Sequence, residues 1–409
     1  MPNFHLEDAV FEKAAGLFPT PFYLYDERGI QQAVRKLKTA FAWNRGFREY
    51  YAVKALPNPA ILKRLMAEGC GLDCSSQTEL LLAQKLGAGG EDIMFSANAM
   101  PESEIAFARK LGALINLDDS SDVETLINHG GVPDTVCLRV NPGQKGMEGN
   151  AFMGGALDAK YGWMPSQLQN GLERLKEQGA RRFGLHAMTV SNTLDGSYFA
   201  RNAAYLFGLG LELERDSGLK LAFVNLSGGL GIPYRMEEQE VDLKRVGEMV
   251  REEYEKAFGK RRDVRIFTEL GRLLTGPYGW LVTRAVHKKE IWREYIGLDA
   301  SAGNLIRPAM YGAYHHVSIA GKRNAPHDRV YDVTGALCEN NDKFAIQRSL
   351  PRIEPGDLVL IHDTGAHGHS MGYQYNGRLR SAEVLYTEEG DYRLIRRAET
   401  PEDYFATLV

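Results

Sequence analysis

The chain has 409 residues, 44% of them hydrophobic and 25% charged, with a formal net charge of -4. That length exceeds what one core usually holds, so two domains are expected. Neither sign of charge dominates or clusters and no apolar run approaches membrane-spanning length, so neither nucleic acid nor a membrane is expected as a partner.

In chain order, Tyr50-Tyr51-Ala52-Val53 reads as a strand, and Pro57 and Pro59 forbid its simple continuation. Lys54 is therefore presented at that strand's carboxyl end. Further strands are expected at Gly71–Cys74, Ile93–Ser96, Ala113–Asn116, Val136–Val140, Phe183–His186, Ala222–Leu226 and Arg265–Glu269. Between them, stretches such as Pro59–Glu68, Gln77–Leu86, Pro101–Leu111 and Ser197–Ser217 carry apolar residues at helical spacing. Eight such units make a (β/α)8 TIM-type barrel, with a doubly wound open sheet as the alternative. From about Gly271 the helical punctuation fades. Trp280–Val286, Tyr295–Leu298, Arg329–Val333, Asp357–His362, Ala382–Tyr386 and Tyr392–Ile395 read as strands joined by short polar turns. The expected division is a barrel over 26–270 and an antiparallel β domain over 271–409, joined by segment 1–25. The Gly-rich segment 143–155 reads either as a mobile loop over the barrel mouth or as a surface insertion.

Cys70, Cys74, Cys137 and Cys338 are scattered, and none lies at metal-ligand spacing with a second pair, so neither a disulfide scaffold nor a zinc site is expected. The opening Met1-Pro-Asn-Phe-His5 has no basic patch followed by an apolar core, and a cytoplasmic location is expected.

Lys54, Asp73, Arg139, His186, Ser227 and Glu269 each sit at or just beyond the carboxyl end of an expected strand. In a barrel those ends converge on one mouth, where the chemistry of such folds is carried. A desolvated Lys54 could form a Schiff base with a carbonyl cofactor; the bland alternative is a lysine whose head snorkels to solvent. Gly228, Gly229 and Gly231 could let backbone N–H groups approach a phosphate, or could simply make a tight turn. Glu269 could hold a pyridine nitrogen protonated, or pair with Arg272. His186 could stack on a planar ring, move a proton, or be an ordinary interior histidine. Near the C-terminus, Arg307 and Tyr311 lie one helical turn apart and suit a carboxylate.

Together these motifs, in this order, resemble the fold-type III pyridoxal-phosphate decarboxylases along nearly the whole chain, most closely the diaminopimelate decarboxylase branch. The resemblance implies an alanine racemase/ornithine decarboxylase-like barrel and β domain with pyridoxal 5'-phosphate on Lys54 and phosphate at the Gly228-Gly229-Leu230-Gly231 loop. It also implies Asp73, His186, Ser227, Glu269 and Tyr375 around the cofactor, and Arg272, Arg307, Tyr311, Glu339 and Tyr375 around the substrate. Cys338 is the implied proton donor, with His186 as the spare, and Cys338-Glu339 would come from the second subunit of a homodimer. The implied reaction is decarboxylation of meso-2,6-diaminopimelate to L-lysine, the last step of lysine biosynthesis. Decarboxylation of D-lysine or D-ornithine, or a non-catalytic relative, are the alternatives. Three departures from the family pattern bear on substrate: His186-Ala187-Met188-Thr189 replaces His-Ile-Gly-Ser, Leu270 replaces a proline, and His367 replaces a tyrosine.

Overall fold

The computed structural model describes residues 6–143 and 158–409. The loop expected over 143–155 therefore lies almost wholly outside the described residues. The chain divides into two compact units, one of Ala33–Ile232 with Glu240–Leu273, the other of Met1–Gln32, Pro233–Gln239 and Leu274–Val409.

Helices α1 (Asp8–Leu17) and α2 (Glu27–Ala40) flank β1 (Phe22–Asp26). Eight parallel strands then close on themselves: β2 (Arg48–Ala52), β3 (Gly71–Cys74), β4 (Ile93–Ser96), β5 (Leu114–Leu117), β6 (Thr135–Arg139), β7 (Arg182–His186), β8 (Lys220–Asn225) and β9 (Arg265–Thr268). Between them run α3 (Pro59–Ala67), α4 (Gln77–Lys85), α5 (Glu102–Lys110), α6 (Ser121–His129), α7 (Pro165–Glu177), α8 (Ser197–Ser217) and α9 (Leu243–Phe258). The barrel closes where Arg48 pairs with Phe267 and Glu49 with Thr268. The open-sheet alternative is thereby excluded.

Local chemistry explains where the helices begin. Asn58 caps α3 by accepting from Ala60 N at 3.0 Å, and Pro59 supplies the preset first turn. β2 ends at Ala52, a 3-10 turn follows over Val53–Ala55, and Pro59 starts the next helix. Ser76 caps α4 and Asp242 caps α9 in the same manner.

Inside the barrel, Tyr50, Met94, Leu114, Cys137, Ala222, Phe223 and Phe267 form one buried apolar cluster. Phe223 stacks on Phe267 with centroids 4.5 Å apart, and Tyr50 meets Phe267 edge-on at 5.0 Å. Gly184 is obligatory beside this stack, since a Cβ there would collide with the Phe223 ring. These rings fill the barrel below the strands' carboxyl ends, so the polar residues at those ends rest on an apolar floor.

The second unit continues through α10 (Gly271–Thr275), β10 (Gly279–Glu290), β11 (Glu294–Leu298), α11 (Arg307–Tyr311), β12 (Val317–Ile319), β13 (Arg329–Thr334), β14 (Lys343–Leu350), β15 (Leu358–Ile361), β16 (Ala382–Tyr386), β17 (Tyr392–Arg396) and α12 (Pro401–Phe405). Its strands form a sheet ordered β14-β13-β11-β10-β1-β16-β17, with β15 pairing both β10 and β12. Most pairs are antiparallel, as the sequence suggests. Two are parallel, however: β1 with β16 and β11 with β13. The first arises because β1, from the start of the chain, inserts between strands from its end. Composition reveals nothing of that long-range insertion.

Removing the Phe223 ring from the barrel floor leaves a cavity that its neighbours cannot close. Phe223→Ala is expected to lower unfolding stability by about 3–5 kcal/mol, read as a shift in the urea midpoint. A midpoint equal to the parent's would show that the stack does not support the barrel.

Candidate active site

Lys54 lies in the single 3-10 turn Val53–Ala55 that follows β2. Val53 and Ala55 are buried while Lys54 is exposed. The expectation of a desolvated amine is thus corrected: the turn carries the side chain past the apolar strand, where its charge acts on Asp73, Glu79 and Glu269.

Glu269, directly after β9, is only 7% exposed yet well satisfied. Asn225 Nδ2 donates to its Oε1 at 2.6 Å, Ser227 Oγ donates to Oε2 at 3.0 Å, and His186 Nε2 lies 3.1 Å from Oε2. Burial pushes this carboxyl upward, but His186, the Lys54 charge and the Asn225 hydrogen bond outweigh it and hold Glu269 below its usual range. Asp73, 1% exposed at the end of β3, behaves oppositely. Burial, and then the charge of Glu269, push it well above its ordinary value. Glu269 is therefore the ionised member of this pair and Asp73 the protonated one. Asp73 Oδ1 and His186 Nδ1 have no hydrogen-bond partner among the described residues. Buried polar atoms left so are costly in a native fold, and they mark where a polar ligand would complete the site.

The turn after β8 holds Ser227 and Gly229 at φ of 60° and 106°. A Cβ on Gly228 would stand 2.8 Å from Glu269 O, and one on Gly229 would stand 2.9 Å from Val190 O. Among the described residues, no backbone carbonyl takes the N–H of Gly228 or Gly229. Gly231 differs: its N–H donates to Thr193 O at 2.8 Å. Its expected share in an anion cradle is therefore corrected to a packing role against Asn192, where any side chain would collide. Ser227, expected at the cofactor, is instead turned onto Glu269. Thr189, in the departure from His-Ile-Gly-Ser, lies 3.3 Å through Oγ1 from Tyr198 Oη.

In the other unit, Arg307 opens α11 and is 3% exposed. Its Nη1 donates to Tyr234 Oη at 2.7 Å and to His315 Nε2 at 3.1 Å. His315 Nδ1 in turn donates to His362 O at 2.8 Å, which fixes a neutral imidazole with Nε2 as acceptor. Tyr311, one turn on, is 48% exposed. Cys338 and Glu339 are exposed, and Cys338 N donates to Asn376 Oδ1 at 2.7 Å, so the Cys-Glu and Tyr375-Asn376 segments are neighbours within one chain. Arg272, inside α10, is half-buried. His369 is buried against Tyr23 and bonded to Ser381 O, so the second histidine of the Thr364–His369 turn has a structural task.

The barrel unit thus gathers Asp73, His186, Ser227, Gly228 and Glu269 with Lys54 in their field, while Arg307, Tyr311, Cys338, Glu339 and Tyr375 lie in the other unit. Sequence reasoning missed Asn225, Tyr234, His315 and Glu49. The last had a visible signal, an acid immediately before the apolar run Tyr50–Val53. Glu49 is 2% exposed, accepts from Leu270 N at 2.7 Å and from Thr268 Oγ1, and is pushed up to about 8, chiefly by burial.

That displacement has a definite sign. The folded state keeps a proton on Glu49 up to about 8, whereas the unfolded chain releases it near 4, so native stability falls as pH rises through this window. Relative to Glu49→Gln, the parent is expected to lose up to about 1.4 kcal/mol per pH unit between these limits, measured by urea unfolding at several pH values. Parallel stability curves would refute the buried, protonated acid.

Residues 27–276 match the family described as pyridoxal-dependent decarboxylase, pyridoxal binding domain. The chain is 44% identical over 395 residues to Protein TabA of Pseudomonas amygdali pv. tabaci, spanning 97% of this chain and 92% of that relative. It is 33% identical over 401 residues to the diaminopimelate decarboxylase of Methanothermobacter thermautotrophicus, spanning 97% and 92%. Among solved structures, the diaminopimelate decarboxylase of M. jannaschii superposes with a TM-score of 0.90 at 29% identity, covering 97% of this chain and 94% of that one. The enzyme of Helicobacter pylori complexed with L-lysine gives 0.86 at 26%, covering 97% and 98%. The barrel, its strand-end acids and this match agree: the chain belongs to the pyridoxal-dependent decarboxylase family, a fold-type III architecture whose cofactor is pyridoxal phosphate.

Proposed function

We propose that this protein decarboxylates meso-2,6-diaminopimelate to L-lysine and CO2. The reading is supported chiefly by Arg307, buried and oriented by Tyr234 and His315 one turn from the exposed Tyr311. A guanidinium fixed in that way suits the distal carboxylate that separates diaminopimelate from simple diamino acids. The diaminopimelate decarboxylases among its relatives, 31% to 34% identical, support the same substrate.

The residues present fit the cofactor. Lys54 would carry it, Gly228 and Gly229 N–H groups and Tyr375 would hold its phosphate, and His186 would lie against the ring. Asp73 would meet a further polar group through its unpartnered oxygen. When bound, pyridoxal phosphate supplies an electron sink for the pair left behind as CO2 departs. Glu269 provides the negative charge that keeps a ring nitrogen protonated, and Asn225, Ser227 and His186 keep that charge in place. Protonated Asp73 adds no second negative charge beside it. Arg272, Arg307, Tyr311 and Glu339 orient the substrate's polar groups, and the barrel floor keeps water from below. Cys338 delivers the final proton, with His186 as the alternative donor. Since Cys338 and Glu339 are exposed, a second copy of the chain can present them, and the functional unit in this reading is a homodimer with shared sites.

A second reading keeps the chemistry but changes the substrate to another amino acid. It is favoured by the higher identity to Protein TabA than to the diaminopimelate decarboxylases named above, and by the substitutions at Met188, Thr189, Leu270 and His367.

Purified protein is expected to release CO2 from meso-diaminopimelate faster than from D-lysine or D-ornithine. The reverse order would transfer the function to the second reading. Arg307→Ala should reduce the preference for diaminopimelate by about 10- to 100-fold in kcat/KM, the scale of a lost bidentate or buried polar contact; an unaltered preference removes Arg307 from recognition. Mixing Lys54→Ala and Cys338→Ala chains should restore part of the activity, and verified heterodimers without activity would rule out the shared site.

A further inference from the structure

We propose that Glu49 is a positioning residue that fixes Glu269 relative to Lys54, and so sets the charge presented to the cofactor ring. The inference rests on the cofactor reading above but concerns a residue outside the cofactor and substrate set. Glu49 lies in β2, five residues before Lys54 and paired in register with Thr268 of β9. Its two carboxyl oxygens take the Thr268 hydroxyl and the Leu270 N–H, from the residues immediately before and after Glu269. One buried side chain therefore holds both flanks of the acid.

The next residue tightens the same seam. A Cβ on Gly271 would stand 2.6 Å from Ala55 Cβ and 3.3 Å from Ala52 Cβ, the two sides of the turn that carries Lys54. The exit of β9 thus lies directly on the exit of β2. Hydrogen bonds donated to Glu49 and the close approach at Gly271 together tie Glu269 to the root of Lys54. A ring linked to Lys54 at one end and facing Glu269 at the other needs that spacing to be constant.

Not every structural carboxylate has this placement. Asp299, for example, joins Thr20, Thr283 and the backbone of Arg284 within the β unit, remote in sequence from every candidate cofactor residue. The titratable groups facing the seam are Lys54, Asp73, His186 and Cys137 around Glu269, and Cys70 beside Glu49. Glu49 and Glu269 also repel each other, so a protonated Glu49 keeps the negative charge on Glu269 alone.

The test compares holoenzyme of the parent, Glu49→Ala, Glu49→Gln and Thr268→Val. Each is followed by the cofactor absorbance band and its loss on borohydride, the pH midpoint of that band, kcat and KM separately, and the urea midpoint. In Glu49→Ala the band should persist, its midpoint should move by about one pH unit, and kcat should fall about 10- to 100-fold with little change in KM. Glu49→Gln, which keeps an acceptor for Leu270 N, should recover much of the lost kcat and return the midpoint toward the parent. Thr268→Val, which removes one of the two contacts, should give an intermediate shift and keeps the question answerable if Glu49→Ala does not fold. A band midpoint unmoved in Glu49→Ala, or in Thr268→Val where Glu49→Ala fails to fold, overturns the proposal even if stability drops. So does a Glu49→Gln protein as impaired as Glu49→Ala. A parent lacking the band altogether would instead defeat the cofactor reading on which the proposal stands.

Discussion

The site depends on a single buried negative charge. Glu269 is removed from water, which alone would drive it to protonate, and is kept ionised by donors from two neighbouring strands and the turn that follows them. Asn225 and Ser227 are oriented by the backbone of β8 and its exit, with Ser227 N donating to Asn225 Oδ1 at 2.8 Å. A carboxylate with so complete a shell cannot rotate toward solvent without leaving several buried donors unpaired. Its orientation is therefore as fixed as that of the barrel itself.

Asp73 shows the complementary use of the same environment. It sits at the same mouth with fewer donors, and burial and then the charge of Glu269 outweigh its hydrogen bond with Ser96 and push it well above its ordinary value. Two carboxyl groups of nearly equal intrinsic acidity are thereby pushed in opposite directions by their different hydrogen bonds and neighbouring charges. The barrel makes this possible because parallel strands deliver their last residues to one rim, while Tyr50, Phe223 and Phe267 seal the volume beneath.

Much of this was legible in the sequence. Each barrel strand was placed within two residues at either end because parallel strands buried on both faces read as short apolar runs between helical segments. The C-terminal strands were visible as runs separated by short polar turns, but β12 and β14 were not. The former has three residues, and the latter alternates irregularly, with Gln347 in a left-handed conformation and a shifted register against β13. The motif residues Lys54, His186 and Glu269 stood out by their position after apolar runs. Ser227 and Gly231 were seen too, but their tasks were misjudged, because whether a hydroxyl or N–H faces a ligand or a neighbouring strand is decided by register.

The barrel's strand count, the polar residues that end its strands and the chemistry they make available were set by the order of residue types along the chain, since period and punctuation are local properties. Which carboxyl ionises, which glycine N–H is already taken, and that Glu49 braces both flanks of Glu269 were decided only when the strands assembled into the barrel. Those outcomes depend on burial and on partners brought from elsewhere in the chain, up to 221 positions away, and no local pattern encodes either.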